Sequence, residues 1–149
     1  MTLINIKQKG AIKMNTNKKT TDTTDAKVIL STSWIFVMLN IIFADIFSFM
    51  NPEFLKGLLT GYAEQVQITP ELLLGFAIAT EIPIVMVLLS RILKYTVNRW
   101  ANIIAGIITV VYVIGGGSSA PHAIFFIMVE VAACLFIVWY AWRWPNPDV

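Results

Sequence analysis

Four long apolar runs, each interrupted at only a few polar positions, organise this chain. The clearest is Leu72–Leu89, where the polar interruptions are Thr80 and Glu81. At about 1.5 Å per residue such a helix crosses a hydrocarbon core of roughly 30 Å. The pattern predicts an all-α protein, an integral membrane antiparallel four-helix bundle. Its spans fall at about residues 28–50, 70–93, 100–115 and 121–142.

The punctuation between the runs agrees with these boundaries. Asn51-Pro52-Glu53 after the first span and Thr69-Pro70-Glu71 before the second each place a capping side chain ahead of a proline at the first helical position. Between them, FLKGLLTGY mixes apolar residues with one lysine and two glycines, and reads either as a short interfacial helix or as a plain loop. The linker RILKYTVNRW brings Arg91, Lys94 and Arg99 between the second and third spans, and the third, from about Trp100, is the shortest. Gly115-Gly116-Gly117-Ser118-Ser119 is an uncharged turn, and Pro121 restarts a helix that ends in an aromatic belt of Trp139, Tyr140, Trp142 and Trp144.

Residues 1–27 are rich in Lys, Thr and Asn and are expected to form a disordered, basic, cytoplasmic tail; residues 145–149 form a short tail at the other terminus. The apolar run after the N-terminal segment is too long for a signal-peptide core and no cleavage-type site follows it. Met14 offers a second translation start without touching the bundle at 28–144.

Composition supports the membrane reading: 57% of the 149 residues are hydrophobic and 13% charged, against about 45–50% and about 25% in soluble domains. The net charge of +2 matters less than its placement. Six of the eleven Lys/Arg precede the first span, and of the other five only Lys56 lies in a connection assigned to the outer side. By the positive-inside rule both termini are cytoplasmic, in the cell membrane. The basic tail has no aromatic interleaving, so nucleic acid is not expected as a partner. Cys134 is the single cysteine, which excludes an internal disulfide and a CxxC pair.

Three carboxylates fall inside the apolar spans, Asp45, Glu81 and Glu130, with no Lys, Arg or His expected to be buried in the same spans to pair with them. A charge at the bilayer centre costs at least about 2.5–3.5 kcal/mol, so each acid is expected to face the bundle interior or a wet cavity. Glu81 and Glu130 lie at similar depth and Asp45 is shallower, an arrangement that lets the three ring the outer half of one cavity. Helical spacing supplies neighbours: Asn40, Ala44 and Ser48 on the first span, Gly75, Ala79 and Pro83 on the second, and Asn102, Gly106 and Thr109 on the third, with Tyr112 close by. Pro83 loosens the helix just after Glu81. His122, at the mouth of the fourth span, is read as a loop or cap residue.

Two readings of the acids stand open. Asp45, Glu81 and Glu130, with Asn40, Asn102, Thr109 and Tyr112, bind a proton, a cation or a small polar ligand, as in a small transporter. Alternatively the acids are neutral, hydrogen-bonded packing groups of an accessory or scaffold subunit. No metal set, nucleophile, phosphate loop or cofactor motif is present, so an enzyme is not expected. The expected partners are the lipid bilayer and a second copy of the chain or another membrane protein.

The segments STSWIFVMLNIIFADIFSFMNP (31–52), GYAEQVQITPELLLGFAIATEIPI (61–84), NRWANIIAGIITVVYVIGGG (98–117) and PHAIFFIMVEV (121–131) resemble a group of small bacterial four-span membrane proteins, domain of unknown function 6326. The resemblance covers about residues 28–144 and implies a membrane location and four helices, with no established activity, ligand or catalytic residues. The architecture also resembles, more loosely, the DoxX-like four-helix proteins, though the paired cysteines of a redox role are missing.

Overall fold

The computed structural model describes residues 2–63 and 66–146, with side chains described from Thr24 onward. The elements are α1 (Thr2–Phe49), α2 (Pro52–Leu59), β1 (Tyr62–Ala63), β2 (Val66–Gln67), α3 (Pro70–Ile92), α4 (Tyr95–Gly116) and α5 (Pro121–Arg143). The all-α four-helix bundle expected from the hydropathy pattern is present. The stretches long and apolar enough to cross a membrane are Thr24–Phe49, Pro70–Ile92, Tyr95–Gly116 and Pro121–Arg143.

Both predicted start signals act as capping motifs. The Asn51 side chain accepts from the Glu53 amide at 3.0 Å with Pro52 beginning α2, and Thr69 accepts from the Leu72 amide at 3.2 Å with Pro70 beginning α3. Each satisfies one backbone donor that the first helical turn leaves without an acceptor. Of the two readings of residues 52–59, the helix is the one found.

Three features differ from expectation. Helical backbone begins at Thr2, well upstream of the first apolar run, where an irregular tail was expected over 1–27. That segment contains no proline, and extending a helix already nucleated by the span costs far less than starting one. Residue 1, and 147–149 of the short C-terminal tail, lie outside the described residues. Second, α4 starts at Tyr95 rather than near Trp100, leaving only Leu93 and Lys94 between α3 and α4. Hydropathy falls at Asn98 and Arg99, but the helix continues because both find partners on neighbouring spans, Asn98 buried on Ser90 and Arg99 on the exposed Trp142 carbonyl. Third, α2 is followed by a two-stranded antiparallel hairpin pairing Tyr62 with Gln67 and Ala63 with Val66. Gly61, at φ 83°, makes the turn into it, and a Cβ on Gly57 would lie 2.9 Å from the Tyr62 carbonyl oxygen. Only glycine lets α2 and the hairpin approach so closely.

The spans form a ring: α1 packs on α3 and α5, and α4 packs on the same two. Ring neighbours run antiparallel, since Ser31 near the start of the first span meets Val87 late in α3, Phe47 meets Phe126, and Tyr95 meets Trp144. The core is a set of seams at helical spacing: Leu30, Trp34, Val37 and Ile41 on α1, Ile103, Ala105 and Val113 on α4, and Cys134, Ile137 and Ala141 on α5. The expected inward stripe on the third span is confirmed, with Asn102, Gly106 and Thr109 all buried.

At the end of the bundle where α3 meets α4, aromatic and cationic groups clamp α4 to α5. The Tyr95 hydroxyl donates to the Trp144 carbonyl at 2.8 Å and the two rings meet edge to face. The Arg99 guanidinium donates to the Trp142 carbonyl at 2.9 Å and lies 5.4 Å from the centre of its ring. Trp139 and Trp142 are exposed as a belt requires, but Trp144 is 5% exposed and belongs to the core. It is withdrawn from the belt because Tyr95, brought into α4, covers it.

α4 packs tightly on α5 at Gly106, where a Cβ would lie 2.7 Å from Cγ2 of Val138. Valine is stiff at χ1 and gives way poorly. Gly106→Leu is expected to lower stability by about 1–3 kcal/mol through overpacking, read by thermal unfolding in detergent. Part of the loss should be recovered in the Gly106→Leu, Val138→Ala double variant.

Candidate functional site

The polar residues within the bundle divide into two groups, one at each end. The first is a closed network near the α3–α4 turn. The Oδ1 atom of Asn102 accepts from the Trp34 indole N–H at 2.7 Å and from the Ser90 hydroxyl at 3.1 Å. Its Nδ2 donates to Oδ1 of Asn98 at 2.6 Å and to the Asn98 carbonyl at 2.8 Å. Asn98 in turn donates to the Ser90 carbonyl at 2.6 Å. Beside it the Ser31 hydroxyl donates to the Val87 carbonyl at 2.8 Å and accepts from Nε of Arg91 at 3.1 Å. Trp34, Ser90, Asn98 and Asn102 are buried. Three helices are tied together here, and the side chains of Asn98 and Asn102 are spent on one another and on their neighbours. This is a satisfied structural knot with no group free to take a ligand.

The second group lines a cavity of about 150 Å³ at the opposite end, where α1 stops and the glycine turn joins α4 to α5. Asp45 and Ser48 enter from α1, Tyr112 from α4 and Glu130 from α5, with Phe76 of α3 and Gly117 completing the wall. Glu130 is 3% exposed, and its buried Oε1 has no hydrogen-bond partner. No Lys or Arg is among the described wall residues. A wider cavity of about 340 Å³ shares Ser48, Phe54 and Ser118 with the first and adds Asn51, Glu53 and His122, whose buried Nε2 also has no partner. The two cavities adjoin through these shared wall residues and together make an acidic recess under α2, with Glu130 Oε1 and His122 Nε2 buried and without a partner.

The expected ring of three acids is therefore a pair. Asp45 and Glu130 share the cavity, with Tyr112 beside them; Glu81 is exposed on the outer face of α3 and lines no described cavity. Asn40 is half-buried and donates to the Phe36 carbonyl of its own helix at 2.8 Å. Asn102 belongs to the knot at the far end. Thr109 is buried but bonds back to the Ala105 carbonyl at 2.8 Å. Of the second-span stripe, Pro83 is buried while Gly75 is exposed. Tyr112 lies 3.0 Å from the Thr80 hydroxyl and meets Phe76 edge to face, which fixes the phenol at the cavity wall. Glu53 and His122, read from sequence only as helix-start and loop residues, join the recess. The available signal was positional, since both follow or open a helix at the same end of the bundle.

Helices of this length and apolar content, packed into a ring, define a helical membrane protein with four spans. Residues 19–149 match the model of a family of unknown function (DUF6326), and the chain belongs to that family. No curated protein and no solved structure matches it.

The two polar groups respond differently to deletion. Asn102→Ala leaves the Trp34 N–H, the Ser90 hydroxyl and Asn98 Oδ1 without their partner, and each orphaned buried group costs about 1–3 kcal/mol. Asn40→Ala removes a bond made within one exposed turn and should change stability by no more than about 0.5 kcal/mol. Melting of the two variants in the same detergent checks the contrast.

Proposed function

We propose that the recess under α2 is a binding site for a proton or a small cation, held by Asp45 and Glu130 and bordered by Tyr112. The observation that supports this most directly is the buried carboxylate oxygen of Glu130 left without a partner in a cavity that a second carboxylate also lines. A buried polar group with no partner is costly, and a cation or a proton shared with Asp45 removes that cost. The acidic wall disfavours anions. The wider outer cavity with Glu53 and His122 gives the approach, so the protein is read as a small transporter-like or cation-sensing membrane protein rather than an enzyme. Lys27, Arg91, Lys94, Arg99 and Arg143 gather at the end opposite the recess, with Lys56 alone at the recess end among the described side chains. That distribution supports cytoplasmic termini in the cell membrane, with the recess facing outward.

The rival reading, an accessory or scaffold subunit with structural acids, is favoured by one observation: Asn102 and Thr109 are used entirely within the bundle. Purified protein titrated with alkali cations and with small primary ammonium ions separates the two. A ligand at about 100 times its Kd stabilises the folded state by about 2.7 kcal/mol. The wild type should melt higher with at least one of these cations, and its infrared carboxyl band should shift with the same ion. Glu130→Gln and Asp45→Asn should lose both responses, while Glu81→Gln keeps them. A melting temperature and carboxyl band indifferent to every cation and to pH would leave the acids as packing groups and the scaffold reading in place.

A further inference from the structure

Glu81 is not part of the recess, and its position calls for a separate account. It lies mid-way along α3, the span least covered by its neighbours: only 11% of its most apolar stretch is buried in the bundle. On the outer face Leu74, Ile78, Glu81, Val85, Leu88 and Ile92 succeed one another at intervals of four and three residues. Leu74, Ile78, Leu88 and Ile92 are each more than 60% exposed, Val85 is 39% exposed, and Glu81 is exposed in their midst. Alternating spacings of four and three are the seam of a two-helix coiled coil, in which a single polar residue sets register and oligomeric state at some cost in stability. This seam has no partner within the chain.

A carboxyl facing hydrocarbon at mid-span has neither water nor a hydrogen-bonding neighbour, and intramembrane acids avoid that by turning toward protein. We propose that the outer face of α3 is a homodimer interface in which the Glu81 carboxyls of two copies hydrogen-bond to each other. A second copy is the occupant that the geometry favours. A two-fold axis along the membrane normal preserves the insertion topology of both copies and places residue i opposite residue i, so each Glu81 meets a group at its own depth. A protonated carboxyl is donor and acceptor at once and is therefore complementary to itself. The flanking Ile78 and Val85 then close the seam above and below and keep lipid from the pair, by the van der Waals packing that drives helix association in bilayers. The interface uses no residue of the recess, so this proposal stands or falls apart from the cation-site reading.

Cysteine cross-linking of the full-length chain in phosphatidylcholine–phosphatidylglycerol vesicles tests it. Single variants Ile78→Cys, Val85→Cys and Leu88→Cys sample the seam; Ile107→Cys on α4 and Leu135→Cys on α5 are exposed controls. The native Cys134 is buried and serves as background. The expected result is copper-phenanthroline dimer at the seam positions, little at the controls, and a dimer fraction that falls on dilution with lipid. In the Val85→Cys background Glu81→Gln, which keeps a donor and an acceptor, retains the dimer. Glu81→Leu weakens association by about fivefold or more, while the melting temperature of the monomer in detergent stays level or rises. Equal cross-linking at seam and control positions, a chain that remains monomeric at high protein-to-lipid ratio, or undiminished association in Glu81→Leu would overturn the proposal. Glu130→Gln leaves the dimer unchanged, whatever it does to cation binding.

Discussion

The bundle depends on one amide. Asn102 receives the Trp34 indole and the Ser90 hydroxyl on one atom and reaches Asn98 with the other, so α1, α3 and α4 meet at a single side chain. In a bilayer this matters more than apolar contact, because lipid tails compete for apolar faces on nearly equal terms and the hydrophobic effect no longer draws helices together. Directional bonds and close packing take over. The indole of Trp34 crosses the ring diagonal to reach α4, which fixes the rotation of α1 about its own axis. With that rotation set, Asp45, eleven residues further on and so three turns away on nearly the same face, is carried to the recess.

The two ends of the molecule thus divide the work. At the α3–α4 end the buried side chains of Ser31, Trp34, Ser90, Asn98 and Asn102 all have partners, and the aromatic clamp of Tyr95, Trp142 and Trp144 closes the bundle over them. At the α2 end glycines form the turn between α4 and α5, and two buried polar atoms, on Glu130 and His122, have no partner. The bonded network sits at one end of the bundle, and the buried polar atoms without a partner sit at the other.

The sequence made the spans, caps and turns readable because each rests on a local signal: apolar length, an Asn or Thr ahead of proline, a run of glycines. The faces were harder. A helix in a soluble protein announces its buried side by amphipathicity, but α3 is apolar almost all round, and in a membrane an isoleucine serves equally against lipid or protein. Cost alone predicts Glu81 to face inward, and spacing from Ser48 predicts the same of Asn40; both lie off the cavity. Asn102 was placed on the correct face, yet its role depended on Trp34 and Ser90, partners far away in sequence that periodicity does not connect. The start of α4 was missed for a related reason. Asn98 and Arg99 look like loop residues until Ser90 and Trp142 are seen to receive them.

The two-residue connection between α3 and α4 has a consequence for biogenesis. Leu93 and Lys94 leave no slack for one of these helices to settle in the bilayer while the other waits outside, so they must partition as a single hairpin. The pair is already joined by Ser90, Asn98 and Asn102, so its most polar stretch enters with its hydrogen bonds made. The first span, separated from α3 by a helix and a hairpin, is free to insert earlier and to lock the assembly afterwards, when its tryptophan arrives at the waiting amide.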